Sequence, residues 1–150
     1  MELVKFLLEA KLHGYASIGE RDETQLDGGG KRLNYRAENF LYQDTYYGND
    51  PFIGEELVWQ DGVALWGMNF YGLVLEADIP SGDVYRFLQQ AMRQVGPDRP
   101  FRGPEIFRAG DWEYRDKSQG SLERFSGEET ILFQGRPVYR LTYHGGRLGN

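Results

Sequence analysis

The apolar residues of the chain follow two different periods, which separate helical from extended segments. Residues 3–12 (LVKFLLEAKL) place apolar side chains three and four positions apart, a spacing that predicts a short helix. After Pro80 the same helical spacing recurs, until Gly96-Pro97 ends it. We therefore predict two helices, one at the start of the chain and one near its middle.

The other apolar segments are aromatic and β-branched runs that are bounded by Gly, Asn, Asp and Pro, a pattern typical of strands. These runs lie at residues 39–47, 54–60, 63–72, 111–117, 128–133 and 136–144. Asp61-Gly62 joins two of them and favours a two-residue hairpin turn, because both central positions of that turn need a positive φ. The remaining segment 18–32 has four glycines and many charges, and we predict a mobile loop there, either disordered or a lid.

One short pattern occurs twice. F-x-G-E-E spans residues 52–56 and again residues 125–129, and a predicted helix precedes each copy. We therefore predict one domain over 1–150 with pseudo-repeats at roughly 1–73 and 80–146. The expected fold class is α+β, built from internally duplicated α-βββ units. It has an antiparallel sheet of about six strands with two helices on one face.

The predicted hairpin turns also fix which side chains share a face of the sheet. The register around Asp61-Gly62 places Glu55 on the apolar face, and the register around Gln134-Gly135 does the same for Glu128. A carboxylate on an apolar face is costly unless it is paired or protonated. Either these two glutamates bind backbone N–H groups or an arginine such as Arg102, or they line an aromatic pocket and contact a ligand, including a cationic one. General acid/base chemistry is a third reading.

The pocket predicted in this way combines two carboxylates, aromatic walls and one arginine. Its candidate ligand-binding residues are Glu55, Trp59, Trp66, Glu128, Tyr139, Tyr143, Tyr42, Tyr114 and Arg102. We predict no catalytic residues, because the chain has no G-x-S-x-G, Walker A or H-E-x-x-H motif. We also predict no metal site and no cofactor, since Cys is absent and the two histidines show no ligand spacing.

Composition and charge indicate which classes of partner the chain is not expected to bind. The net charge is −6 and Lys and Arg form no run, so we expect no direct binding of nucleic acid. No apolar stretch is long enough to span a membrane, so we expect no membrane partner. The N-terminus lacks the features of a signal peptide, and we therefore expect a cytoplasmic location.

Several strings of the sequence, taken together, are specific. They are YQDTYYG (42–48), FIGEELVW (52–59), WGMNFYG (66–72), FRGP (101–104), FSGEE (125–129) and YHGG (143–146). Together they resemble a bacterial domain family of unknown function, family 5680, over most of the chain. In that family the domain occurs alone or behind a Cro/C1-type helix-turn-helix in transcriptional regulators. The resemblance implies a role in effector sensing or partner binding and transfers no catalytic residues.

Three hypotheses of function follow. The first is a small-molecule (effector) binding module with an aromatic, acidic pocket. The second is a protein-interaction or dimerisation domain, which includes a homodimer that uses exposed sheet or aromatic surface. The third is an enzyme with an inward glutamate as general base. We favour the first, and we expect a binding protein rather than an enzyme.

Overall fold

The computed structural model describes residues 1–17 and 22–149, and this part of the chain forms two α-helices and nine β-strands. The helices are α1 (Leu3–His13) and α2 (Ser81–Met92). The first five strands are β1 (Glu23–Gln25), β2 (Lys31–Ala37), β3 (Phe40–Gly48), β4 (Phe52–Gln60) and β5 (Val63–Val74). The last four are β6 (Ile106–Ala109), β7 (Trp112–Ser121), β8 (Arg124–Phe133) and β9 (Arg136–Arg147).

All nine strands belong to one antiparallel sheet, in the order β1-β2-β3-β4-β5-β9-β8-β7-β6. Each group of consecutive strands forms a meander, and the two meanders meet where β5 pairs with β9. The short strands β1 and β6 are the two edges of the sheet. Helix α1 precedes the first meander and α2 connects it to the second.

Both helices contribute to one hydrophobic core on the same side of the sheet. We call this side the core face; it carries Tyr42, Glu56, Trp66, Glu129 and Tyr139. Helix α1 packs Phe6 on Phe40 with ring centroids 4.7 Å apart, and α2 packs Phe87 on Trp112 at 5.4 Å. The opposite side, the open face, carries Thr45, Glu55, Asn69 and His144, which are paired across neighbouring strands.

The predicted fold class is wrong in its strand count and in its units. The sheet has nine strands rather than about six, and α1 is followed by five strands and α2 by four, so the chain is not built from α-βββ units. The prediction missed β1, β2 and β6. Strands β1 and β6 have only three and four residues, and β2 (KRLNYRA) is rich in polar residues, so none shows a clear apolar alternation.

The elements that sequence patterns did predict are present. Both helices are confirmed, and each of the six predicted strands overlaps an observed one. Within the range 18–32, for which a mobile loop is predicted, the structure places β1 and the first residues of β2, while residues 18–21 lie outside the described residues. The hairpin turn at Asp61-Gly62 is confirmed by φ angles of 51° and 79°, and Gln134-Gly135 has 51° and 78°.

The register of both hairpins differs from the prediction because each contains a β-bulge. Between β4 and β5 the register shifts between Val58 and Trp59, so Glu56 rather than Glu55 lies on the core face opposite Met68. Between β8 and β9 it shifts between Ile131 and Leu132, and Glu129 lies opposite Leu141. An extra residue on one strand shifts the pairing beyond the bulge by one position. The residues of the other strand that face the core are therefore the neighbours of those expected without the bulge. The inward orientation predicted for Glu55 and Glu128 is therefore wrong.

The glycine of the second F-x-G-E-E pattern makes room for a ring on the core face. A Cβ at Gly127 would overlap the ring of Tyr143, which lies across β8. We expect Gly127→Ala to lower the free energy of unfolding by about 1–3 kcal/mol, because an added methyl in a packed core forces side chains from their preferred positions. Urea denaturation measures this change.

The control for that variant is Gly82→Ala, since Gly82 lies in α2 and a Cβ there would have only Arg86 near it, at 3.8 Å. Alanine in a helix is favoured over glycine, so this variant should be unchanged or more stable. Equal destabilisation by both substitutions would contradict the role assigned to Gly127.

Candidate functional site

Two glutamates are buried on the core face, and each is paired with a cation from outside the sheet. Glu56 on β4 is 2% exposed and Glu129 on β8 is 0% exposed. A buried carboxylate is stable only with a counter-charge and hydrogen-bond donors. The structure supplies both kinds of partner to each of these side chains.

Glu56 is bound by the lysine of α1 and by a tyrosine of β3. Lys11 Nζ lies 2.6 Å from Glu56 Oε1, and the Tyr42 hydroxyl donates to the same oxygen at 2.7 Å. Lys11 Nζ also donates to the backbone carbonyl of Phe101 at 2.6 Å and lies 5.8 Å from the ring centroid of Trp66. The buried lysine therefore joins α1, the sheet and the segment that follows α2.

Glu129 has an arginine and two tyrosines as partners. Arg102 Nε donates to Glu129 Oε2 at 2.9 Å, and the Tyr114 hydroxyl donates to the same oxygen at 2.5 Å. The Tyr139 hydroxyl donates to Oε1 at 3.1 Å. The Arg102 guanidinium also lies 5.2 Å from the ring centroid of Phe70, which is a cation–π distance.

Three consecutive residues after α2 link these two glutamates. Phe101 gives its carbonyl to Lys11, Arg102 binds Glu129, and the backbone N–H of Gly103 donates to the Tyr114 hydroxyl at 3.1 Å. A Cβ at position 103 would lie 2.6 Å from that hydroxyl oxygen, so only glycine fits. Segment 101–103 thus forms the connection between the two buried ion pairs.

Asp116 on β7 lies next to this cluster. Its Oδ1 accepts from the Tyr143 hydroxyl at 2.8 Å, and Arg99 Nη2 is 3.5 Å from the same oxygen. Burial and then the nearby Glu129 charge raise the pKa of Asp116 to about 7. Asp116 therefore keeps a proton at a pH at which an exposed aspartate has lost it.

The three side chains that bind Glu129 are each held in one protonation state. Burial, and then the charge of Glu129, raises the pKa of the Tyr114 and Tyr139 hydroxyls well above the usual value. For Arg102, burial is the largest single effect and lowers the pKa. The charge of Glu129, its hydrogen bond and the two tyrosines together raise the pKa more, so that it lies well above the usual value. These side chains therefore act as fixed hydrogen-bond donors, since none changes its charge in the neutral range.

A pocket of about 300 Å³ lies on the core side, next to the cluster around Glu129. We call it the α2 pocket. It is lined by Tyr15, Lys31, Asp44, Tyr46, Gly48, Asn49, Phe52, Phe70, Tyr85, Leu88, Met92 and Arg102. Phe70 and Arg102 belong both to this lining and to the buried network. The α2 pocket is therefore walled mainly by aromatic and apolar side chains and has charged groups of both signs.

The backbone that follows α1 is attached to the α2 pocket. Gln89 Nε2 of α2 donates to the carbonyls of Tyr15 and Ser17, at 2.8 and 2.9 Å. Tyr85, one turn earlier on α2, donates its hydroxyl to the carbonyl of Asn49 at 2.6 Å. The walls of the pocket are thus tied to α2 from two sides.

A second concavity, about 650 Å³, lies on the open face. It is lined by Arg32, Gln43, Thr45, Tyr47, Ile53, Gly54, Glu55, Leu57, Asn69, Phe70, Tyr71, Thr142 and His144. Three large side chains of its lining are unusually exposed for their type, namely Tyr47 at 43%, Ile53 at 54% and Tyr71 at 46%. They are direct neighbours across β3, β4 and β5.

The structure brings together six of the nine residues that the sequence proposes as a site. Trp66, Tyr139, Tyr143, Tyr42, Tyr114 and Arg102 are all buried around Glu56, Glu129 and Asp116. The other three, Glu55, Trp59 and Glu128, lie on the open face because of the two bulges. Glu128 is paired there with Arg140 at 3.2 Å.

Sequence reasoning missed both buried glutamates and the buried lysine. The bulges that turn Glu56 and Glu129 inward leave no mark in the sequence pattern. Lys11 could have been found, since it continues the apolar stripe of α1 one turn after Leu7. A charged residue at such a position needs a buried partner.

Two further classes of site have no basis in the described residues. No group of three or more His, Asp or Glu side chains in that part of the chain is arranged to hold a metal ion. Neither of the two described helices is long and apolar enough to cross a membrane.

Loss of one partner from a buried ion pair should destabilise the fold strongly. We expect Arg102→Met to lower the free energy of unfolding by about 3–5 kcal/mol, because Glu129 would remain buried without a counter-charge. The double variant Arg102→Met/Glu129→Leu should recover part of this loss, since it leaves no unpaired charge. Urea denaturation of both variants tests the assignment.

The matched control is the exposed pair of Arg140 and Glu128, whose side chains are 49% and 48% exposed. Arg140→Met should cost no more than about 1 kcal/mol, as surface pairs do. Similar losses for Arg140→Met and Arg102→Met would be inconsistent with a structural role of the buried pair.

The raised pKa of Asp116 predicts a pH dependence of stability. Between about pH 4 and about pH 7 the folded state holds a proton on this carboxyl that the unfolded state has lost. The contribution of Asp116 to stability therefore falls as the pH rises through this range. Asp116→Asn should make the protein relatively more stable at pH 8 than at pH 5, compared with the wild type.

Urea denaturation midpoints at the two pH values measure this effect, with the exposed Asp98→Asn as control. An unchanged pH profile in Asp116→Asn would show that Asp116 does not take up the proton.

Comparison with known proteins gives one match. No curated protein and no solved structure matches the chain. A family model described as "Domain of unknown function (DUF5680)" matches residues 44–148, which include every strand from β4 to β9, most of β3, α2 and both buried glutamates. The chain therefore belongs to the DUF5680 family.

Proposed function

We propose that this protein is a small-molecule binding module and that its ligand occupies the α2 pocket. The observation that carries the proposal is the composition of the pocket wall. Aromatic and apolar side chains surround a concave space, and a few charged groups lie among them, which is the usual makeup of a ligand site. This replaces the site expected from sequence, in which Glu55 and Glu128 are the charged partners.

The size of the α2 pocket limits the ligand. Its volume of about 300 Å³ is at the small end of the range for ligand sites. Five aromatic residues line it, so we propose a ligand with a flat or compact apolar body. Lys31, Asp44 and Arg102 provide the charged contacts, so we propose that the ligand also carries at least one polar group.

Occupation of the pocket would affect the buried network directly. Phe70 contacts the pocket and also lies under Arg102, which binds Glu129. A ligand that contacts Phe70 and Arg102 would therefore stabilise segment 101–103, and through Lys11 it would stabilise α1. This coupling suits a sensor of an effector molecule. We propose a cytoplasmic sensor that works with bacterial transcriptional regulators.

A thermal-shift screen against metabolites, organic cations and organic acids tests this function. A ligand at a hundred times its Kd stabilises the fold by about 2.7 kcal/mol, which raises the Tm of a chain of this size by about 5–10 °C. Tyr85→Ala removes a ring from the pocket wall and should abolish the shift. Tyr71→Ala removes an exposed ring from the open face and should leave the shift intact.

Three results would contradict the proposal. The first is that no compound shifts the Tm. The second is that Tyr85→Ala binds the hit compound as the wild type does, and the third is that Tyr71→Ala abolishes the shift instead. Isothermal titration of any hit against both variants separates lost binding from lost stability.

A further inference from the structure

The open face of the sheet has a charge opposite to that of the whole chain. Pairing across the strands places seven cations on it: Arg32, Arg36, Arg108, Arg115, Lys117, Arg124 and Arg140. The same registers place three carboxylates there, those of Glu55, Glu113 and Glu128. The face thus has an excess of cations, whereas the chain as a whole has a net charge of −6.

Some of these cations make ion pairs within the face and others do not. Arg108 and Arg115 pair with Glu113, and Arg140 pairs with Glu128. Within the described residues, the remaining four make no ion pair with a carboxylate; these are Arg32, Arg36, Lys117 and Arg124. They lie on β2, β7 and β8, on both sides of the central strands. An anionic polymer that crosses the strands could contact both groups of cations.

Exposed rings lie between the two groups of cations. Tyr47 on β3 and Tyr71 on β5 are each nearly half exposed, and Ile53 on β4 lies between them in one row. The rings are part of the concavity of about 650 Å³ that also includes Arg32 and His144. Exposed aromatic rings on a sheet, flanked by arginine and lysine, combine the two contacts that unpaired nucleotides need, namely base stacking and phosphate binding.

We propose that the open face binds single-stranded nucleic acid, with phosphates at its unpaired cations and bases stacked on its two exposed tyrosines. Glu55 lies in the same concavity and can accept a hydrogen bond from the amino group of a cytosine. An acidic protein would use the cations but would gain little from the rings. In a duplex the bases are stacked inside the double helix, so they could not stack on the tyrosine rings.

This surface could not be found by a search for runs of Lys and Arg. Its cations come from five different strands and occupy alternate positions, as in Arg32 and Arg36 on β2 or Arg115 and Lys117 on β7. Because successive side chains of a strand point to opposite faces of the sheet, these cations share the open face. The acidic residues between them, such as Asp116, point to the core. The expectation of no direct nucleic-acid binding rested on the net charge and on the absence of such runs.

The test uses the full chain and a fluorescein-labelled 12-nucleotide oligocytidine RNA in a fluorescence anisotropy titration. We expect binding in 50 mM salt that weakens about 20- to 50-fold at 200 mM, if three to four phosphates are contacted. Tyr71→Ala should weaken binding about five- to 150-fold, as loss of one stacked base does. Tyr85→Ala on the opposite side of the sheet and Arg86→Ala on α2 should bind as the wild type does.

Competition experiments distinguish single-stranded nucleic acid from a duplex and from an acidic protein as the ligand of the open face. Unlabelled oligocytidine should displace the probe, whereas a duplex of equal length and poly-L-glutamate of equal charge should not. Displacement by polyglutamate at the same concentration would overturn the proposal in favour of an acidic protein partner. Absence of binding in 50 mM salt would also overturn it, as would a Tyr71→Ala variant that binds normally. Circular dichroism and the Tm of each variant exclude misfolding as the cause of a loss.

Discussion

Two buried glutamates can exist on the core face only because a cation reaches each of them from outside the sheet. Lys11 comes from α1 and Arg102 from the segment after α2, so these two ion pairs attach both ends of the helical layer to the sheet. The tyrosine hydroxyls around them donate further hydrogen bonds to both carboxylates. Such a cluster adds little stability compared with an apolar core of equal volume, but it is very sensitive to loss of any one member.

The α2 pocket depends on the same cluster. Arg102 is fixed by Glu129 on one side and by the ring of Phe70 on the other, and both Arg102 and Phe70 form part of the pocket wall. A wall whose side chains are already held in place loses little conformational freedom when a ligand binds. The part of the wall that Arg102 and Phe70 form is therefore preorganised.

Sequence reasoning reached the helices, six of the strands and most of the aromatic side chains of the cluster, because these depend on local periodicity and turn chemistry. The Asp61-Gly62 turn was predictable since its φ angles restrict the residues that fit. The edge strands β1 and β6 were not, because strands of three or four residues carry too little pattern. The bulges were not predictable either, and they reversed the faces of Glu55 and Glu56. One residue inserted between a turn and a site reverses the face of the sheet on which the site lies.

The adjacent glutamates of each F-x-G-E-E pattern show why the correct register is nevertheless well defined. In every register one of the two carboxylates points inward, so the pattern itself does not choose between Glu55 and Glu56. The cations do choose, because Lys11 reaches only the position that Glu56 occupies, and Arg102 only that of Glu129. The glycine of each pattern adds a second constraint, since Phe70 and Tyr143 need Gly54 and Gly127 beneath their rings. A register shifted by one residue would place a carboxylate among aromatic rings without its cation and a side chain where a ring must lie. Charge pairing and ring packing therefore select the same register, and with it they determine which glutamates are left exposed on the open face.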